Sequence, residues 1–158
     1  IIASGIALII AAALAFLILF AGKSEAVLAP QMARQNNALR AIQICGDLLR
    51  NAYYDSIEIP SENIIEFESP ELPEGQVARI KFQGGTLVYY PDKTETNEFR
   101  TIANGLTNVT FAWESNEQAQ RKMVKITVIF KYRKYRGYNQ SEAEKLNGTF
   151  ATKIYPRN

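Results

Sequence analysis

The chain has 158 residues, with 18 Lys and Arg against 16 Asp and Glu, one Cys and no His, for a formal charge of +2. This inventory excludes an internal disulfide, a Ser-His or Cys-His catalytic pair and c-type haem attachment, and leaves no set of His and Cys ligands for zinc. Neither catalysis nor a cofactor nor a bound metal is expected.

The opening stretch, Ile1 to Gly22, carries no charge and ends at Lys23. At ~1.5 Å per residue it would cover roughly 33 Å, about the thickness of a bilayer's hydrocarbon core, so a long apolar helix of transmembrane grade is expected here. A secretory signal peptide has a basic front and a shorter apolar stretch. This segment reads instead as part of the mature protein, with something before Ile1 cleaved off or absent. Ala3, Ala7, Ala11 and Ala15 recur at a spacing of four, with Leu8, Leu14, Phe16, Leu17, Ile18, Leu19 and Phe20 around them. Small residues let helices approach closely. The alanine strip is therefore expected to be a helix-packing interface in a filament core, the plainer reading being an anchor whose alanines are only compositional.

Residues 23–54 read as the same helix turned amphipathic, with Leu28, Met32, Leu39, Ile42, Leu48, Leu49 and Ala52 near a period of 3.6. Pro30 lacks an N–H and crowds the preceding turn, so a kink or interruption is expected there. Residues 1–30 form the apolar helix on this reading, and 31–158 a globular head. Cys45, in "RAIQICGDLL", is expected as a buried small hydrophobe rather than a reactive thiol.

After "DSIEIPSEN" the period changes to two. Strands are expected at 64–69, 76–82, 86–90, 98–103, 106–113, 123–131 and 148–155. "QGG" forms the turn of a hairpin in which Gly84 and Gly85 supply positive φ. Val109, Phe111 and Trp113 share one face, as do Val124, Ile126, Val128 and Phe130. Short connections argue for one antiparallel meander, and its apolar face needs the amphipathic helix as a cover. The expected class is α+β, a long half-apolar, half-amphipathic helix on an antiparallel sheet.

Charge is divided along the chain. Residues 55–100 carry ten acidic and four basic side chains, and 101–158 carry four acidic and ten basic. Acidic and basic strands side by side in one fold would explain this. So would a polar subunit whose two sides attract opposite sides of identical copies, a head-to-tail contact that propagates into an open filament.

An apolar-then-amphipathic N-terminal helix on an antiparallel sheet resembles the type IV pilin and pseudopilin superfamily. "LVYYPDKTETNEFRTIANGLTNVTFAWES", "KMVKITVIF" and the ending "GTFATKIYPRN", with its Arg157-Asn158 pair, resemble minor pilins and larger pseudopilins. The family's mature proteins open on a stretch with an early glutamate that pairs with a neighbour's terminal amine. Here the first acidic residue is Glu25, so no residue inherits that role, and Ile1 falls about six residues inside the family's mature start. The resemblance implies a pilin-like fold and a structural subunit of a bacterial extracellular filament at the cell surface. Its partners would be copies of itself, the inner membrane before assembly, and other pilins with their assembly machinery. Two alternatives stand beside it: a minor pilin or pseudopilin of a type II secretion-like machine, and a membrane-anchored binding module that never polymerises.

"KYRKYRGY" interleaves Lys131, Arg133, Lys134 and Arg136 with Tyr132, Tyr135 and Tyr138. Cations alternating with stacking rings suit single-stranded nucleic acid. A basic strand end meeting an acidic neighbour or solvent accounts for them equally simply and is preferred. Sequons at Asn108, Asn139 and Asn147 are read as fortuitous. Glu58, Glu62, Glu66, Glu68, Glu71 and Glu74 do not match a calcium loop and read as a solvated acidic face.

Overall fold

The computed structural model describes residues 2–95, 97–116, 121–131 and 147–157, with side chains at 13–19, 22, 29–95, 97–115, 122–131 and 147–157. Helix α1 (Ile2–Asn51) is built from Ala, Leu and other good helix formers and is assigned through Pro30 without a break. The expected interruption there does not occur. The chain forms two units, Ile1–Ala33 and Arg34–Asn158. Arg50 complements the carboxyl end of the helix dipole and bonds Asp47 at 2.8 Å. The helix is followed by a single 3-10 turn, Tyr54–Ser56, whose last hydroxyl donates to the Tyr53 carbonyl at 2.8 Å.

Eight strands follow: β1 (Glu58–Ser61), β2 (Ile64–Phe67), β3 (Ala78–Gln83), β4 (Thr86–Tyr90), β5 (Arg100–Asn104), β6 (Asn108–Asn116), β7 (Arg121–Lys131) and β8 (Asn147–Ile154). They pair antiparallel throughout. The β3–β4 turn has Gly84 at φ 60° and Gly85 at φ 83°, the left-handed backbone a tight hairpin demands. β1 was not anticipated, because Pro60 inside it removes a ladder donor. It survives as an edge strand, where such a loss is tolerated.

Two expectations about the fold class are corrected. First, there is no single meander. β1 to β5 form one five-stranded sheet, and β6 to β8 a separate three-stranded sheet. The split falls after Asn104, where Gly105 takes φ 71° and the next two backbone amides leave β5, Leu106 donating to Gly85 and Thr107 to Ile129. The outer edge of β6 is met by the β1–β2 turn instead of by β5. Phe111 N–H donates to the Glu62 carbonyl at 2.7 Å, and Asn63 Nδ2 to the Val109 carbonyl at 2.7 Å. Period-two patterning places a strand but does not choose its partner.

Second, the transmembrane-grade apolar helix is not found. Among the described residues no helix is long and apolar enough to cross a membrane. Beyond Pro30 the helix carries Arg34, Arg40, Asp47 and Arg50.

Within the unit Arg34–Asn158 one core joins the helix and both sheets. Its members from the helix are Ala38, Ala41, Cys45 and Leu49, joined by Ala52 just after it, all fully buried. Of the expected stripe, Leu49 and Ala52 are fully buried and Ile42 and Leu48 pack against the core, whereas Met32 is 62% exposed and Leu39 38%. Small side chains face the strands because they let a helix backbone approach a sheet closely, while Ile42, Ile44 and Leu48 flank the contact. Facing them are Ile65, Phe67, Ile80 and Leu87 from the larger sheet. The smaller sheet contributes Val109, Phe111, Val124, Ile126, Val128 and Phe130.

Candidate functional site

In α1 the side chains from Ala13 to Leu19 are all exposed. At about 100° per residue, seven consecutive positions go nearly twice around the helix. No single face is polar, so no one-sided contact could cover the segment. Leu14, Phe16, Leu17, Ile18 and Leu19 are 55 to 71% exposed. Ala15 lies within this run. The side chains of Ala3, Ala7 and Ala11 lie outside the described residues, although their backbone is helical. The expected packing strip is thus visible at one position, where the large neighbours, not the alanine, present most of the apolar area. The sequence signal for them was the uninterrupted apolar run itself.

In the unit Arg34–Asn158 two carboxylates, Glu66 and Glu114, each gather two basic side chains. Glu66, on β2, is buried and receives Arg79 Nε at 2.8 Å and Lys93 Nζ at 3.0 Å. Burial raises its pKa, but the hydrogen bonds from Lys93 and Arg79 and their positive charge outweigh that and hold it below the usual carboxylate value. Lys93 also donates its backbone N–H to Val77, so the ion pair fastens the loop after β4 onto the sheet. The acidic run expected as solvated is therefore solvated only in part. No group of His, Cys, Asp and Glu among the described residues has the arrangement to hold a metal.

On the three-stranded sheet Lys125 and Lys153 stand directly opposite each other. Like charges at such a pair repel. Glu114 on β6 lies between them, hydrogen-bonded to Lys153 and 3.7 Å from Lys125. The Lys153 hydrogen bond, above all, holds the Glu114 carboxyl below its usual value. This local cluster keeps a net positive charge, with Lys122 exposed on the same strand. Of the basic-aromatic patch only Lys131 is described. It is exposed, and its carbonyl accepts Arg34 Nη1 at 3.0 Å. Tyr132, Arg133, Lys134, Tyr135 and Arg136 lie outside the described residues.

Two inward assignments divide. Val109 and Phe111 are buried, but Trp113 is 37% exposed and makes an edge-type ring contact with Tyr54, centroids 5.7 Å apart. Cys45 is fully buried, which pushes its thiol up to about 12 and makes it inert. In comparisons with protein-family models, curated proteins and solved structures, nothing matches this chain.

Proposed function

We propose that the chain is a non-catalytic structural subunit of a bacterial extracellular, type IV pilus-like filament, and that it self-associates through its apolar helical segment. The observation that carries this reading is the run Ala13–Leu19, apolar and exposed on every side. An apolar helix exposed all round requires an apolar surrounding, and a bundle of identical helices supplies one. Burying one large apolar side chain is worth about 1.5–3 kcal/mol. Five such side chains, each somewhat more than half exposed, amount to about 5–10 kcal/mol per subunit. The opposite charge of residues 55–100 and 101–158 would add contacts between copies that weaken with salt, while the apolar contact would not.

The test is cryo-electron microscopy of material sheared from the cell surface, with mass spectrometry to confirm the chain. Long helical filaments made mostly of this protein are expected. The double substitution Phe16→Asp, Ile18→Asp should abolish them while leaving the unit Arg34–Asn158 folded by circular dichroism. Filaments that persist in this variant would refute assembly through the segment.

A further inference from the structure

A cavity of about 220 Å³ opens where the carboxyl end of α1 meets the five-stranded sheet. Leu48, Phe67, Leu72 and Pro91 supply apolar walls, and Ser69, Glu71, Tyr89 and Arg100 bring polar groups to the same space. Tyr89 and Arg100 are direct cross-strand partners on β4 and β5. Glu71 and Ser69 come from the loop after β2, held because Ser69 Oγ accepts the Glu71 N–H at 3.3 Å.

The two charges in this cavity do not pair with each other. Arg100 makes no ion pair and no side-chain hydrogen bond among the described residues. Glu71 Oε1 accepts Asn51 Nδ2 at 3.0 Å, and its second oxygen has no such partner. The Tyr89 hydroxyl also makes no hydrogen bond among the described residues. Burial pushes its pKa up, while Arg100 lowers it and Glu71 raises it. Both charges are exposed at the rim of the cavity, where an ion pair between them would gain little. Unpaired beside apolar walls, they suit a molecule that carries both complements and an apolar body.

Size narrows the choice further. Drug-sized ligands occupy about 300–1,000 Å³, and an apolar cavity of about 150 Å³ holds benzene. The space here lies between, enough for one ring or branched chain with a small polar head.

We infer that this cavity binds a single free amino acid with an apolar side chain, as its zwitterion. Arg100 receives the carboxylate, with Tyr89 Oη as a further donor. Glu71 receives the ammonium group, and Leu48, Phe67, Leu72 and Pro91 enclose the side chain. The inference does not rest on the filament reading.

The experiment is isothermal titration calorimetry on the full chain in a non-ionic detergent. The probes are L-phenylalanine, L-leucine, phenethylamine, 3-phenylpropionate, N-acetylphenylalanine and phenylalaninamide. Both amino acids should bind, and each of the four phenylalanine analogues lacking one charge should bind at least about tenfold more weakly than phenylalanine. Arg100→Gln should weaken phenylalanine about tenfold and leave phenethylamine unchanged. Glu71→Gln, which keeps the acceptor for Asn51, should weaken phenylalanine and leave 3-phenylpropionate unchanged. A general loss of structure would not produce that crossed pattern. Absence of heat with either amino acid at millimolar concentration overturns the inference. N-acetylphenylalanine or phenylalaninamide binding as tightly as phenylalanine also overturns it, since the site would then read a chain terminus.

Discussion

Replacing Glu66 by Gln removes one charge and preserves shape, so it isolates the ion pairs that fasten the loop after β4. The Glu66 side chain is 7% exposed, and its partners Arg79 and Lys93 are 30% and 36% exposed. Removing one partner from a fully buried pair costs about 3–5 kcal/mol. Here both cations regain water readily and the Gln oxygen still accepts one hydrogen bond, so a cost of about 2 kcal/mol is expected. That corresponds to a fall in melting temperature of about 4–8 °C at neutral pH. The pH dependence has a definite sign. Glu66's folded pKa is below its unfolded value, so its contribution is present above the carboxylate range and is lost as pH falls through the folded pKa. Calorimetric melts of the native chain and Glu66→Gln should therefore differ at neutral pH and converge in acid. Equal melting temperatures at neutral pH would refute the ion-pair argument. A gap that persists undiminished in strong acid would show that the loss is one of packing, not of charge.

Three further outcomes follow from single contacts. A Cβ on Gly148 would lie 2.2 Å from Phe130 Cζ, and that ring is stacked on Phe150 at 5.2 Å. Gly148→Ala should therefore cost about 1–3 kcal/mol in urea denaturation, and Phe130→Leu in the same chain should recover part of it. Asn63 Nδ2 donates to Asn108 Oδ1 at 3.0 Å and to the Val109 carbonyl at 2.7 Å, joining the two sheets. Asn63→Ala should cost about 1–3 kcal/mol, measured the same way. Cys45, with its thiol pushed up to about 12, should resist a thiol-specific reagent in mildly alkaline buffer and react at once in denaturant. Prompt reaction of the native protein would contradict the burial described here.

Local patterning was enough to place most of the strands. β4 coincides with the alternating run "TLVYY", and β7 and β8 begin and end within two residues of the segments marked by period two. The Gly84-Gly85 turn was equally legible, because few residues other than glycine take positive φ readily. The inward positions of Val124, Ile126, Val128 and Phe130 followed from alternation alone. These features depend on neighbours in the chain, and the sequence determines them by itself.

What joins distant segments was decided only by the tertiary structure. β5 does not pair with β6, whose edge Glu62 and Asn63 occupy from the β1–β2 turn. The helix face that meets the sheets was chosen by fit. The sequence pointed to Cys45, Leu49 and Ala52, which are buried, but also to Met32 and Leu39, which are exposed, while close approach favoured Ala38 and Ala41. Glu66 lay in a run of acids indistinguishable from its neighbours until β3 and the loop after β4 set Arg79 and Lys93 beside it. The cavity between Glu71 and Arg100 likewise has no signature in either segment. A side chain's partners are fixed by packing across the fold, and for these residues that packing settled both the burial and the charge.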